Sequence, residues 1–200
     1  MNPIAPKNFP SVAIAVPSGL SVHADFCMSL AAMCYNLNEL PMLLVSAKSS
    51  IVADGRNIGV RAAQDGQAEY VLFLDSDMTF PKDTLLRLLM RDVDVIGATY
   101  SRRTPPLRPL GETLPQQPAD APAGLVEMSR MPTGCLLVRT SVFRRLREPY
   151  FRYRIDEDHG RIIGEDYDFC DRIRDLGIRI WCDPLLSKEL GHIGQQVFTI

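Results

Sequence analysis

The chain is 200 residues long and has no apolar run near the roughly 20 residues that a membrane span needs. Its first ten residues, MNPIAPKNFP, have no charged end followed by an apolar core, so no leader is expected and the reading is a cytoplasmic protein. There is little excess charge of either sign: the formal net charge is -2, the pI is about 5.9 and the arginines are scattered. That gives no basic field for nucleic acid, which is therefore excluded as a partner. Five cysteines, Cys27, Cys34, Cys135, Cys170 and Cys182, form no C-x-x-C pair. An odd number set mostly in apolar segments speaks against a disulfide framework or a zinc site and for buried free thiols. The one tryptophan, Trp181, is either strand core or a platform for a ring.

What is present is an alternation of apolar runs and helical spacings. Residues 12–16 read as a strand, broken by Pro17, Ser18 and Gly19, and Phe26, Leu30, Met33 and Leu37 then recur at helical spacing. Residues 42–45 give a second strand, 53–64 a second helix and 71–74 a third strand. Pro81 is placed to open a helix carrying Leu85, Leu88 and Leu89, and 93–98 makes a fourth strand. Strands and helices in this order predict an α/β chain of one domain, 1–200, with a mostly parallel open sheet and helices on both faces. Residues 1–100 look like a nucleotide-binding half. Segment 104–124 is rich in proline and has almost no apolar periodicity, which predicts a long loop acting as a connector or as a lid over the site. Residues 134–138 return as a strand and 140–146 as a short helix. Residues 165–176 form the last clear helix, with Phe169, Ile173 and Leu176 on its apolar face and Gly177 ending it, before a final strand at 178–181.

The most informative stretch is VLFLDSDMTF, residues 71–80. An apolar strand running straight into Asp75, Ser76 and Asp77 delivers two carboxylates to the crevice beyond the carboxyl end of a sheet. Such a pair suits a hard divalent cation and a phosphorylated ligand, although a turn-capping Asp75 and a solvated Asp77 give the same letters. A second acidic group, Glu165, Asp166 and Asp168, opens the last helix. Acids there complement the helix dipole, but three exceed what capping needs, and a carboxylate facing a crevice is able to take a hydroxyl proton. His192 follows Gly191 in a glycine-flanked loop, where the backbone approaches something closely and imidazole is available as a ligand beside carboxylates.

The D-x-D at a strand end, then MPTGCLLVRTSVF, then GEDYDFCDRIRDLG, then a histidine after the last strand, resembles metal-dependent glycosyltransferases of the A-type fold (GT-A). The likeness is to inverting family-two-like enzymes, short phage and bacterial members included, and the G-E-D-x-D run with its later histidine is similar to the β-1,4-galactosyltransferase pattern. The resemblance implies a nucleotide-sugar donor over residues 1–100, held through Mn2+ or Mg2+, and a glycan or other hydroxyl acceptor over 101–200. It implies Asp77 as the principal metal ligand, Asp75 on the ribose or assisting the metal, and His192 completing the shell. Asp166 would be the general base, with Glu165 and Asp168 orienting the acceptor. Pro17, Ser18, Arg56, Asn57 and Ser76 would lie along the donor. No Q-x-x-R-W motif follows Asp166, which disfavours a processive synthase, and only eight residues follow His192 to shape an acceptor pocket. Arg102, Arg103 and Arg108 are either solvated loop residues or groups that fold over phosphate.

Two other readings stand beside this one. DSDMT is similar to the first motif of haloacid-dehalogenase-like phosphatases, with Asp75 as nucleophile and Asp77 as acid and base, but no lysine lies between Lys82 and Lys188 to steady a phosphoryl group. A nucleotide-binding module without turnover would keep the same fold.

Overall fold

The computed structural model describes residues 9–194. Strand β1 (Val12–Ser18), helix α1 (Ala24–Asn36), strand β2 (Met42–Lys48), helix α2 (Val52–Asp65) and strand β3 (Tyr70–Leu74) follow the expected order. Next come β4 (Met78–Thr79), α3 (Thr84–Leu89), β5 (Val95–Gly97), β6 (Glu112–Thr113), β7 (Val126–Arg130), β8 (Cys135–Arg139) and α4 (Thr140–Phe143). The hairpin strands β9 (Arg154–Asp156) and β10 (Arg161–Ile163), helix α5 (Glu165–Asp175), strand β11 (Ile180–Cys182), helix α6 (Pro184–Ser187) and strand β12 (Gly191–His192) complete the series. Pro81 lies in the turn before α3, three residues ahead of the first helical position.

Eight strands form one sheet in the order β2-β1-β3-β8-β5-β11-β7-β6. The sheet is α/β in its layering but mixed in strand sense, which corrects the mostly parallel expectation. The β1–β2, β1–β3 and β5–β11 pairs are parallel, as crossover helices require. The β3–β8, β5–β8, β7–β11 and β6–β7 pairs are antiparallel. Two causes combine: β8 returns from the far side of the proline-rich stretch and inserts itself between β3 and β5, and the β6–β7 pair adds to the sheet edge beside β11. Helices cover both faces. Buried residues of α2, α4 and α5 pack with Ala13, Ala15, Val71, Phe73 and Val138 on one side. Those of α1, α3 and α6 pack with Val12, Ile14, Leu72, Leu74 and Ile96 on the other.

Segment 104–124 is not structureless. It supplies the edge strand β6, and Leu110 N–H donates to the Tyr100 carbonyl at 2.9 Å and Leu114 N–H to that of Glu127 at 3.2 Å. Asp120 pairs with Arg179 at 2.9 Å. These bonds satisfy a backbone that its own sequence cannot pair locally. Three of the five cysteines, Cys135, Cys170 and Cys182, are buried free thiols, whereas Cys34 is half-buried and Cys27 exposed. Burial pushes the Cys135 and Cys170 thiols up to about 12. Trp181 is core, with the Arg179 guanidinium 4.4 Å above its ring centre. No described helix is long and apolar enough to cross a membrane.

Candidate active site

Strand β3 ends at Leu74 because Asp75 turns: its carbonyl accepts the Met78 N–H at 3.2 Å, and its own N–H donates to Gly134 at 3.1 Å. The turn lifts Asp75, Ser76 and Asp77 above the sheet and feeds β4, which pairs antiparallel with β12 so that His192 lies opposite Met78. Ile193 N–H donates to the Asp77 carbonyl at 2.8 Å. Two segments more than a hundred residues apart are thereby locked together. Gly191 is required at this point, since a Cβ there would collide with the Thr79 hydroxyl.

His192 Nδ1 lies 2.9 Å from the Ser101 carbonyl, a group that only accepts, so Nδ1 carries the proton. The lone pair of the imidazole is then on Nε2, which stands 3.7 Å from Asp77 Oδ2. Orienting a histidine through its other nitrogen is the arrangement that metal-ligating imidazoles adopt. The Tyr100 ring packs edge-on against His192, with centroids 4.9 Å apart, and its hydroxyl accepts the Gly134 N–H at 3.0 Å. Burial pushes that hydroxyl well above the ordinary tyrosine range, so it stays neutral. Tyr100 had not been singled out by sequence reasoning. Its position two residues after the apolar run 93–98, just beyond another strand, was the available signal.

A cleft of about 300 Å3 is lined by Pro17, Asp75, Ser76, Asp77, Tyr100, Arg103, Leu110 and His192, with Val52 at its edge. It brings together Pro17, Asp75, Ser76, Asp77 and His192, five of the residues named from the sequence. Ser18 is half-buried at the end of β1, outside this lining, and its carbonyl takes the Ser49 N–H at 3.1 Å.

Asp75 lines the cleft and also carries a buried ion pair. One terminal nitrogen of Arg56 donates to Asp75 Oδ1 at 2.9 Å and the other to Glu165 Oε1. Arg56 is 3% exposed and sits in α2 rather than in a loop. Burial opposes its charge, but Asp75 and Glu165 outweigh that and hold its pKa above the usual value. The guanidinium thus ties the first acidic cluster to the second from beneath. Its Nε is buried with no hydrogen-bond partner, one donor left over from a geometry set by the two carboxylates. Among the described residues, no three His, Cys, Asp or Glu side chains gather as a metal cluster. The candidate ligands are two, Asp77 and His192.

Asn57 is also turned inward. Its amide donates to the Ala53 and Phe151 carbonyls at 2.9 and 2.8 Å, and its oxygen accepts the Phe151 N–H at 3.0 Å. With the amide fully occupied, Asn57 pins the 150–151 segment to α2 and does not face the cleft. Asp168, 1% exposed, accepts from Arg152 Nε at 3.1 Å and Arg154 Nε at 2.9 Å, with Arg172 3.7 Å away. It is the hub of an arginine cluster, and its carboxylate is occupied there.

Asp166 is the member of that helix start that does face a cavity. A space of about 420 Å3 is lined by Asp166 and Tyr167 from α5, Arg161 and Ile162 from β10, Arg130, Pro132, Glu112 and Leu110. Asp166 Oδ1 accepts the Tyr167 N–H at 2.8 Å. Burial and the neighbouring Glu165 push its carboxyl up to about 6, which makes it a stronger base than an ordinary aspartate. Leu110 belongs to the lining of both cavities, so the cleft with Asp77 and His192 and the cavity with Asp166 share one loop residue.

No family model matches the chain, and no curated protein matches it. Solved structures do. The crystal structure of A197 from STIV aligns over 96% of this chain and 98% of its own, with a TM-score of 0.57 at 15% identity. That of GalNAc-T7 with UDP, GalNAc and Mn2+ aligns over 94% of this chain with a TM-score of 0.60 at 11% identity, and this chain spans 45% of its length. The fold is GT-A-like. At these identities the likeness is one of backbone, and GT-A-like architecture is what it establishes.

Proposed function

We propose that the chain is a metal-dependent glycosyltransferase that moves a sugar from a nucleotide-sugar to an acceptor hydroxyl with inversion. The observation that carries this reading is the pair of cavities meeting at Leu110, one with hard-cation ligands and one with a raised-pKa carboxylate. Donor and acceptor chemistry need those two groups, close together but not on the same wall.

Asp77 and a Nδ1-protonated His192 supply one carboxylate oxygen and one imidazole lone pair, a set that suits Mn2+ or Mg2+ with donor phosphates completing the shell. When bound, that ion would neutralise the diphosphate and the charge it gains on leaving. Pro17 and Ser76 line the same cleft, where the nucleotide would lie. Asp166 takes the proton of the acceptor hydroxyl, whose oxygen forms the new bond to the anomeric carbon as the bond to the diphosphate breaks. Base and leaving group then lie on opposite faces of the sugar, which inverts the anomeric configuration. Glu165, Arg56 and Asp75 act through position: their buried bridge fixes the start of α5 relative to the end of β3. The same bridge weakens the phosphatase reading, since a carboxylate held by a guanidinium is a poor nucleophile.

The test is to incubate the protein with a panel of nucleotide-sugars, Mn2+ and simple glycosides, following nucleoside diphosphate release and product anomeric configuration by NMR. A β-linked product from an α-linked donor, lost with chelator, supports the reading. A product with retained configuration, or nucleotide-sugar binding indifferent to chelator, rejects it.

A further inference from the structure

Arg103 makes an ion pair with the carboxylate just assigned to the cation. Its Nη1 lies 2.8 Å from Asp77 Oδ2, the same oxygen that faces His192 Nε2 at 3.7 Å. The arginine comes from the start of the proline-rich segment, two residues after Ser101, whose carbonyl orients His192. Nη1 also reaches the Ile193 carbonyl at 3.5 Å, and Gly194 lies against the methylene stem of the side chain. One side chain therefore touches the loop after β3, the loop after β12 and its own segment. Its partners in the cleft are an acid and a carbonyl, which are the kinds of group a divalent cation also seeks.

The two cations compete for Oδ2, the Asp77 oxygen that lies 3.7 Å from His192 Nε2. A divalent metal bonds a carboxylate oxygen at roughly 2.0–2.2 Å, and a guanidinium nitrogen 2.8 Å from the same oxygen would face a like charge at close range in a partly desolvated cleft. The Arg103 side chain is 50% exposed, so it has room to leave, which the 4% exposed Arg56 does not. Arg56 is therefore the permanent counter-charge of Asp75, and Arg103 a removable one of Asp77.

We propose that Arg103 is a placeholder for the divalent cation: it neutralises Asp77 and holds the proline-rich segment across the cleft until a metal ion displaces it. This rests on the glycosyltransferase reading for the existence of the metal site, and adds to it that metal binding has to break a specific ion pair. The consequence is a built-in brake, because metal alone competes with Arg103, whereas metal arriving with a diphosphate offers the released guanidinium an anion to pair with. Metal and nucleotide would then bind with positive coupling that passes through this side chain.

The experiment measures Mn2+ affinity by electron paramagnetic resonance of the free ion, with and without a nucleoside diphosphate, for wild type, Arg103→Gln and Arg102→Gln. Arg102 sits beside Arg103 and donates to the Pro106 carbonyl at 3.0 Å instead of to the cleft, so its variant controls for loss of one positive charge from the loop. The expected result is Mn2+ alone binding Arg103→Gln on the order of threefold to fivefold more tightly than wild type, in keeping with release of a half-exposed ion pair. Arg102→Gln would stay within about twofold of wild type, and coupling to the nucleotide would shrink only in Arg103→Gln. Unchanged or weaker Mn2+ binding by Arg103→Gln, with wild type still binding the ion, rejects the placeholder and leaves the transferase reading standing. An equal gain in both variants assigns the effect to general loop charge and also rejects it. If neither wild type nor Arg103→Gln binds Mn2+ with or without nucleotide, the placeholder falls together with the metal site.

Discussion

Arg56 and Asp75 meet through a 2.9 Å hydrogen bond, and this bond gives the two aspartates of the D-x-D, which line one cleft, different partners. Asp75 is spent on holding α2, and through Arg56 the start of α5, against the end of β3. Asp77, two residues on in the same lining, has His192 and Arg103 as its neighbours.

Replacing Arg56 by methionine leaves Asp75 and the buried Glu165 without a counter-charge. Breaking a buried pair in this way costs about 3–5 kcal/mol, because the remaining carboxylates stay in a desolvated site. Urea denaturation of Arg56→Met should register a loss of that size, and Arg56→Lys should recover only part of it, since one ammonium does not reach both carboxylates in a planar fork. A loss under about 1 kcal/mol would mean that the bridge is incidental.

Asp77→Asn should keep the fold by circular dichroism and lose the joint stabilisation by Mn2+ and a nucleoside diphosphate. In wild type the two together are expected to raise stability by about 2.7 kcal/mol at one hundred times their dissociation constant, far above either alone. His192→Ala should behave in the same direction. Full retention of the metal-dependent thermal shift in both variants would remove Asp77 and His192 from the cation's shell.

Asp168 offers the opposite signature. Asp168→Asn strips a nearly sealed carboxylate from Arg152, Arg154 and Arg172, so stability should fall by roughly 2–4 kcal/mol while the transfer rate per folded molecule stays within about threefold. Activity assays corrected for the folded fraction decide this. A loss of a hundredfold in turnover with little change in melting temperature would return Asp168 to the acceptor site.

The parts of the fold that were legible are those whose sequence carries one strong signal. β1, β3 and β8 are unbroken apolar runs, and α1, α2 and α5 have clear periodicity. β6, β7, β9 and β10 were not readable, because short strands at the sheet margin and in a small hairpin alternate weakly and take their pairing from distant partners such as Arg130 opposite Glu112. The acidic helix start held more information than its composition alone. Glu165 lies one row, i and i+4, from buried Phe169 and Ile173, and Asp168 adjoins the same face, which predicts inward carboxylates needing arginine partners. Asp166, about 100° around the helix from Glu165, was left to face the cavity. What no local pattern carried was the identity of those partners, since Arg56 is 109 positions from Glu165.

Asp166 gives a prediction in which stability and activity move in opposite directions. Its carboxyl is raised from the ordinary 3.8 to about 6 in the folded protein, through burial and then through Glu165. Between those values the folded state binds more protons than the unfolded chain, so this group's contribution makes the protein less stable as pH rises from about 4 to about 6 and keeps it so above that. The ceiling on this cost is about 3 kcal/mol for roughly two units, and partial exposure lowers it toward 1. Asp166→Asn should therefore raise the melting temperature above pH 6 and leave it near wild type at pH 4. Transfer follows the reverse sign: the ionised base is needed, so the wild-type rate should climb through pH 6 to a plateau, and the asparagine variant should lose that step and about 10²- to 10⁴-fold in rate. Donor and metal affinity, which depend on the other cavity, should stay near wild type. Full transfer activity in Asp166→Asn would make Asp166 a helix-start acid with no part in proton transfer, and a variant less stable than wild type at pH 8 would show that its carboxylate is held by the fold rather than strained within it.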